Sequence, residues 1–420
     1  MDESLVAVAT NNLLLIFSII IITGIALGKV SEMLKIPDVI LYLIAGIIIG
    51  PAFLDLVSIQ AYPVENNLIL TFGSAFILFE GGKEINLKIL NKVKVSVTML
   101  STVGVVVSAA VVAFFAAKVF DIPLVTAFLL GAVLASTDPA ALIPIFKQVK
   151  VKDKIKQTVV SESAFNDAAG AILSATVLAV IVSGDFSLKG SIVDLLVSAS
   201  VGIIVGLSIG YLLIMLVSNK RMGVFASYAP IMSILTVILA YEVSIMLNGS
   251  GYMAVFMAGL ITGNKKIFGI WLDEKHYNPT VHVSENIATI CRMSIFVLLG
   301  THVNLDSLAE YWLPSLLTVL ALMFIARPLT VLSSTLIDPG AKWTWRERIF
   351  MMWVRETGVI PAAVSGMIVS MKIPGYEIIS SVVFMTILLT LIIQASTTKF
   401  VATKLNVMEE DYKPKQINKI

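Results

Sequence analysis

The middle of the chain carries, at residues 136–144, the sequence STDPAALIP within an otherwise apolar stretch. Proline interrupts a helix, because it has no backbone N–H and its ring clashes with the preceding turn. If the surroundings are lipid, the carbonyl and amide groups released by the break must bind something or line a cavity. The stretch therefore predicts a broken helix and a functional site, provided that it spans a membrane.

The composition of the chain indicates that it does. Of the 420 residues, 57% are hydrophobic and 14% are charged, whereas soluble proteins carry about 25% charged residues. The excess apolar surface does not fit one core, since single cores stop growing near about 250–300 residues. Soluble, disordered, collagen-like and nucleic-acid-binding classes are therefore excluded, and a lone cysteine excludes an internal disulfide or a cysteine metal cluster.

Thirteen segments are apolar enough to be transmembrane helices, which need about 20 residues each. They lie near residues 12–30, 38–54, 66–82, 95–117, 123–146, 157–183, 191–217, 224–247, 251–264, 285–303, 312–336, 347–370 and 377–400. Of the thirty Lys and Arg residues, twenty-four lie in or at the edge of the odd-numbered loops and the C-terminal tail. Because these residues are retained on the cytoplasmic side, we expect an N-terminus outside and a C-terminus in the cytoplasm.

Short sequences recur seven spans apart, at offsets of 213, 220 and 222 residues. The matching pairs are AGIIIG at 45–50 with AGLITG at 258–263, FILF at 76–79 with FVLL at 296–299, and PAA at 139–141 with PAA at 361–363. Seven is odd, so the two copies enter the membrane with opposite topology, as in many transporters. The fold class predicted is an all-α polytopic membrane protein of about thirteen spans, with inverted repeats and two broken, crossing helices, spans 5 and 12.

Charged residues inside predicted spans are costly, at about 2.5–3.5 kcal/mol for each one placed centrally. Nine residues fall in this class: Glu80, Asp138, Glu162, Asp167, Glu242, Glu356, Arg292, Arg327 and Arg355. Such residues mark a functional site by default, although each also allows a structural role. Asp138 could instead cap a helix, since aspartate favours that position.

Span 6 concentrates polar side chains on one side. Glu162 and Asn166 are four residues apart, as are Ser163 and Asp167, so the two pairs form adjacent stripes on a helix. Their oxygen atoms suit a hard cation. A polar network that only holds the helices together remains the alternative, above all for Glu162, which could simply neutralise an arginine.

Two further acids leave both interpretations open. Glu80, at the end of span 3, is either a cation ligand or an interfacial charge. Glu242 is the lone acid on span 8, away from any motif, and its position favours a packing or boundary role. Arg292 is either structural or at the cytoplasmic edge. The three histidines are too dispersed for a metal site.

The motif at 136–144 together with ESAFND at 162–167 resembles the NhaP-type sodium/proton antiporters of the cation/proton antiporter superfamily. The resemblance extends over almost the whole chain and includes FEGG at 79–82, ARPL at 326–329 and GVIPAA at 358–363. It implies that Asp167 is the main carrier of cation and proton. Asp138, Ser163 and the Thr137 carbonyl would complete the site and Asn166 would order it.

The Asn166-Asp167 pair resembles the electroneutral branch, in which Glu162 pairs with an arginine of span 12. This chain departs from the pattern, because Thr357 stands directly before the glycine and Arg355 lies two residues earlier. Two residues turn a helix by about 200°, so Arg327 is the alternative partner of Glu162.

The resemblance also implies a homodimer in which a core moves against a scaffold. We expect these parts: scaffold at 1–93 and 224–304, ion-binding core at 94–183 and 305–400, a linking helix at 184–223 and a cytoplasmic tail at 401–420. The predicted protein is a plasma-membrane antiporter of Na⁺, and also Li⁺, against H⁺, without catalytic activity or cofactor. A K⁺/H⁺ antiporter of the same fold is the alternative, with a passive cation channel or an intramembrane aspartyl protease more distant.

Overall fold

The computed structural model describes residues 3–34, 36–57, 63–138, 146, 149–184, 188–218, 223–271 and 274–409. The regular structure of these residues is helical, as the sequence predicts. In chain order the α-helices are α1 Glu3–Leu34, α2 Asp38–Ile49, α3 Pro63–Glu84, α4 Leu87–Ser101, α5 Val103–Phe120, α6 Leu124–Leu134, α7 Asp153–Ser183, α8 Leu188–Val217, α9 Ala229–Met246, α10 Gly251–Gly263, α11 Glu274–Thr301, α12 Leu305–Glu310, α13 Trp312–Ala321, α14 Arg327–Leu336, α15 Trp345–Trp353, α16 Val359–Ser370, α17 Tyr376–Leu389 and α18 Ser396–Leu405.

Eight helical segments of the described chain are long and apolar enough to cross a bilayer. Four shorter apolar helices, α2, α6, α10 and α16, have 10–17 residues each. Each of the thirteen predicted spans overlaps a helix in the structure, although thirteen crossings remain a prediction. The protein is therefore a multi-pass membrane protein.

Span 12 is broken as the sequence predicts. Helix α15 ends at Trp353, residues 354–358 are not helical, and α16 begins at Val359. Pro361 lies in the first turn of α16, where its missing N–H would have no helical partner in any case. The proline therefore fixes where the second half of the span begins.

Span 5 is also interrupted. Helix α6 ends at Leu134, and the chain from Ser136 to Asp138 is not helical. The predicted breaking residue, Pro139, and the repeat partners Ala140 and Ala141 lie outside the described residues. The helix thus ends several residues before the proline that the sequence singled out.

Two close helix crossings, each between a span of one half of the inverted repeat and a span of the other, involve matching spans. Helix α2 packs on α11, where Gly46 lies directly against Gly300, and α10 packs on α3, where Gly259 lies against the backbone of Phe79. A side chain at Gly46 or Gly259 would collide with the facing backbone. Because spans 2 and 9 match, as do spans 3 and 10, the two crossings are equivalent under the inverted repeat.

Helices α4 to α7 and α13 to α17 pack on one another to form the region around both breaks. Its helices bury a continuous apolar cluster against α2, α3 and α11. The outer surface of the molecule is also apolar, which suits contact with lipid rather than water. Large exposed side chains there include Leu14, Ile22, Leu196 and Phe324.

Candidate cation site

Helix α7 carries the polar side chains of span 6 into the interior. Asp153 in its first turn complements the helix dipole, and Gly184 ends it in the left-handed region with φ 74°. Its 31 residues extend over about 46 Å, so the middle of the helix lies deep in the bilayer. Glu162, Ser163, Asn166 and Asp167 are all buried there.

The carboxylate of Asp167 lies beside the break in span 5. The hydroxyl of Ser136, a residue of that break, donates a hydrogen bond to Asp167 Oδ1. Asp138, two residues further along the break, is close enough for its charge to repel that of Asp167. Two carboxylates therefore approach each other in a region that is largely removed from water.

Thr137 links the break to the other stripe of α7. Its backbone N–H donates to Asn166 Oδ1 at 3.0 Å, and Asn166 Nδ2 donates to Thr137 Oγ1 at 2.9 Å. The hydroxyls of Thr137 and Ser163 are 2.7 Å apart. Asn166 thus holds the break in position by two hydrogen bonds, and the oxygens of Thr137 and Ser163 lie next to one another.

Glu162 pairs with Arg327 and not with Arg355. The guanidinium of Arg327 contacts both carboxylate oxygens, with Nη2 at 3.0 Å from Oε2. It also donates to the carbonyls of Met351 and Val354, at 2.9 and 3.1 Å. The expectation of a span 12 partner is thus wrong, because Arg355 binds the carbonyl of Leu134 instead, and the alternative, Arg327, is correct.

Each break is stabilised by a charged residue of the other. Arg355 Nη2, from span 12, donates at 2.5 Å to the carbonyl of Leu134 at the end of α6. In return the Asp138 carboxylate accepts from the N–H of Val359 at 3.2 Å, at the start of α16. A cation at a helix C-terminus and an anion at an N-terminus both oppose the helix dipole, so the capping role considered for Asp138 is real but belongs to the other repeat.

The two breaks also touch through their backbones. The N–H of Asp138 donates to the carbonyl of Glu356 at 2.8 Å. The Asp138 side chain packs so tightly on Gly358 that a Cβ at this position would overlap its carboxylate. The structure therefore confirms two broken helices that cross, and a glycine is required at the crossing.

Span 13 satisfies two backbone groups of the span 12 break. Thr390 Oγ1 accepts from the N–H of Thr357 at 3.2 Å, and Gln394 Nε2 donates to the carbonyl of Trp353 at 2.7 Å. Both side chains lie in a π-helical segment, Thr390–Ala395. A second π-helical segment, Leu322–Ala326, directly precedes Arg327. Such segments often occur at functional sites, and here they aim side chains at the breaks.

The other charged residues have separate surroundings. Glu80 on α3 forms an ion pair of 2.8 Å with Lys83 and lies outside the hydrogen-bonded cluster on α7. Arg292 on α11 pairs with Asp38 at 3.2 Å, and both are partly exposed. Glu242 is exposed on α9.

Sequence reasoning missed the contributions of Ser136, Asp38, Thr390 and Gln394. Ser136 stands in the quoted motif, two residues before Asp138, so its position was the available signal. Thr390 and Gln394 are polar residues four apart in an apolar span, a spacing that places them on one helix face. No sequence signal connects Asp38 with Arg292, which are remote in the chain.

The geometry combines two acidic side chains, hydroxyl oxygens and an amide at two helix breaks. No cluster of three or more His, Cys, Asp or Glu residues suited to a resident metal ion occurs in the described part of the chain. The arrangement instead suits a monovalent cation that enters and leaves, and it equally suits a proton on a carboxylate.

Comparisons with known proteins identify the family of the chain. Residues 17–404 match the family described as "Sodium/hydrogen exchanger, transmembrane". The chain is 30% identical to the Na⁺/H⁺ antiporter 1 of Methanocaldococcus jannaschii, over 94% of this chain and 95% of that protein. It is 26% identical to the K⁺/H⁺ antiporter NhaP2 of Shewanella sp. strain ANA-3, over 97% of this chain and 69% of that protein.

The fold is similar to a solved structure of the sodium proton antiporter MjNhaP1 from Methanocaldococcus jannaschii at pH 8. The TM-score is 0.82 with 28% sequence identity, and the match covers 95% of this chain and 100% of the other.

Proposed function

Because this chain belongs to the sodium/hydrogen exchanger family, we propose that it is a secondary active antiporter that exchanges Na⁺ for H⁺ by alternating access. The observation that carries the proposal is the position of Asp167. Its carboxylate is buried beside Asp138 at the crossing of two broken helices, where its hydrogen-bonding partner is a neutral hydroxyl. A fixed arginine is bound instead to Glu162, on the same helix.

In the described part of the chain no cationic side chain pairs with the Asp167 carboxylate, and a buried carboxylate of this kind requires a mobile counter-ion. An isolated charge in a medium of low dielectric constant is strongly disfavoured, so either a proton or a monovalent cation neutralises Asp167. The two ligands exclude each other, since the cation binds the ionised carboxylate and the proton removes its charge. Only a neutralised site crosses the membrane interior cheaply, and the result is obligatory exchange.

The proposed ligands of the cation are Asp167 and Asp138, with Ser163 and Thr137 contributing neutral oxygens. Asn166 orders the site through its two hydrogen bonds to Thr137. We place Glu162 and Arg327 outside the ligand set as a fixed ion pair, together with Arg355 as a helix cap. Glu80 remains a proposed ligand of a different conformation, since it is bound to Lys83 here.

One Na⁺ for one H⁺ is the expected stoichiometry, with Li⁺ as a further substrate. The amide of Asn166 adds no further charge beside Asp138 and Asp167, which suits electroneutral exchange. K⁺ is the alternative substrate, because relatives named as K⁺/H⁺ antiporters are 26% identical. Carboxylate and hydroxyl oxygens by themselves distinguish the alkali cations poorly.

We further propose a homodimer in the plasma membrane, with the N-terminus outside, the C-terminus in the cytoplasm and no enzymatic activity. The scaffold would comprise residues 1–93 and 224–304 and the moving core residues 94–183 and 305–400, joined by 184–223. The close packing of α2 on α11 and of α3 on α10 supports the scaffold, and the crossing of the two breaks supports the core.

Proton flux in proteoliposomes tests the proposal. A pH-sensitive dye inside the vesicles would report proton movement after addition of Na⁺, Li⁺ or K⁺ in turn, with the membrane potential clamped or free. We expect movement with Na⁺ and Li⁺ that is insensitive to the clamp. A response to K⁺ alone would assign the K⁺/H⁺ alternative, and cation conductance without proton movement would refute antiport.

A further inference from the structure

A small cavity of about 20 Å³, enough for one water-sized ligand, lies between the scaffold and the break in span 12. One wall consists of Asp38, Val39, Arg292 and Phe296, from α2 and α11; the other consists of Asp138, Glu356, Thr357, Gly358 and Leu391. The mouth is marked by the Asp38–Arg292 ion pair, in which both side chains are just over a quarter exposed. Asp138 borders this cavity and also lies near Asp167.

Glu356 is the unexplained residue in this cavity. It is 1% exposed, and neither of its carboxylate oxygens accepts a hydrogen bond from another residue of the described chain. Glu356 also forms no ion pair within 4 Å among the described residues. A buried carboxylate in this condition differs from Glu162, which has a guanidinium on both oxygens.

The neighbouring charges do not neutralise Glu356 by contact. Arg327 is bound to Glu162, and Arg355 donates to the carbonyl of Leu134. Asp138 adds a further negative charge, joined to Glu356 through a backbone hydrogen bond of 2.8 Å. Because uncompensated buried charge is strongly disfavoured, the carboxylate of Glu356 requires a ligand that the cavity admits.

We propose that Glu356 and Asp138 form a second binding site for the transported cation or a proton, between the Asp38–Arg292 ion pair and Asp167. The inference rests on the proposed function, because the same two ligands would compete here as at Asp167. Asp138 belongs to both sites, so a cation held by Glu356 and Asp138 passes to Asp167 while one ligand stays in place. The pair of sites forms a short relay at the edge of the moving core.

Binding of radioactive Na⁺ to the purified protein tests this site separately from transport. The variant Asp167→Asn removes the main site, and Asp167→Asn/Glu356→Gln removes both. We expect saturable Na⁺ binding to persist in Asp167→Asn and to weaken at least about tenfold in the double variant, as loss of one charged ligand implies. Asp167→Asn/Glu242→Gln is the matched control, because Glu242 is an exposed acid on α9, and it should bind as Asp167→Asn does.

Two results would overturn the second site: complete loss of saturable binding in Asp167→Asn, or equal binding in the two double variants. The variant Asp167→Asn/Glu356→Asp guards against misfolding, since it keeps a carboxylate in the cavity and should retain binding. Wild-type vesicles that fail to exchange cations for protons would contradict the proposed function instead, so the two failures are distinguishable.

Discussion

Glu162 and Asp167 are buried carboxylates on the same helix, five residues apart, with opposite surroundings. Glu162 has a guanidinium on both oxygens, and that guanidinium also binds two backbone carbonyls. Asp167 accepts a hydrogen bond from the hydroxyl of Ser136 and lies near a second acid. The charge of Glu162 is neutralised by the Arg327 guanidinium, whereas the proposed function assigns the neutralisation of Asp167 to a ligand.

The contrast explains how a membrane protein can hold several acids in its core without all of them carrying ions. A bidentate arginine pair fixes geometry, since the guanidinium stays charged at every relevant pH. Among the described residues, Asp167 has a neutral hydroxyl and a second acid beside it, so on the proposed function cation and proton neutralise it in turn. The first arrangement stabilises the helices around the breaks, and the second is the proposed ion-binding site.

Breaking the ion pair between Glu162 and Arg327 should have the largest effect on the unfolding free energy. Glu162→Gln leaves the Arg327 guanidinium buried without its counter-ion, which costs about 3–5 kcal/mol of unfolding free energy. Na⁺ affinity should stay within about threefold of wild type, because Glu162 lies outside the proposed set of Na⁺ ligands. Thermal unfolding and Na⁺ binding in detergent measure the two quantities.

Asp38→Asn is the matched control for Glu162→Gln, because it also removes one carboxylate from an ion pair between two helices. The Asp38–Arg292 pair is partly exposed, so its loss should cost only about 0–1 kcal/mol. Equal destabilisation by the two variants, or lost Na⁺ binding in a stably folded Glu162→Gln protein, would show that Glu162 is not a structural residue.

Asp138→Asn should affect binding more than stability. The asparagine oxygen still accepts from the Val359 N–H, so the cap on α16 persists while the charge beside Asp167 is lost. A ligand charge is worth about 2 kcal/mol or more at the effective dielectric constant of a protein, and Na⁺ binding should weaken about thirtyfold. Asp138→Ala should in addition lower the unfolding free energy by about 1 kcal/mol, the usual value of a cap.

These two variants are compared by titration with Na⁺ and by thermal unfolding. If Asp138→Asn bound Na⁺ as wild type does, Asp138 would be a helix cap and nothing more.

Much of this site could be predicted from the sequence. Proline at 139 and 361 indicates the breaks, and the spacing of Ser163, Asn166 and Asp167 puts them on neighbouring stripes of one helix. The partner of Glu162 could not be fixed in this way, because the rotation of Arg355 depends on how residues 354–358 leave the helix. The 3.6-residue helical period predicts which side chains share a face only within one helix, and it does not apply across a break.

Contacts between remote segments were equally inaccessible. The cross-capping of α6 by Arg355 and of α16 by Asp138 arises only when the two repeats pack together. The spacing of Thr390 and Gln394 puts them on one face of span 13, but the direction of that face depends on a π-helical segment, whose wider turn does not follow from a 3.6-residue pattern.

The smallest effect is expected at Ser136. The variant Ser136→Ala removes the hydrogen bond that stabilises ionised Asp167, an interaction worth about 1.5 kcal/mol. Protons then compete better, and the apparent Na⁺ affinity in proteoliposome exchange should fall by up to about tenfold. Ser161→Ala, which alters a buried hydroxyl on α7 bound to Gln157, should leave the affinity unchanged; equal values for both variants would exclude Ser136 from the site.

The most direct measurement is Na⁺-driven proton flux in proteoliposomes containing Asp167→Asn, beside the control Glu242→Gln. An amide can bind neither a proton nor a cation by charge, so the asparagine variant should show no exchange above protein-free vesicles while the control matches wild type. Retained exchange in a correctly reconstituted Asp167→Asn protein would contradict the claim that this carboxylate carries the ions in turn.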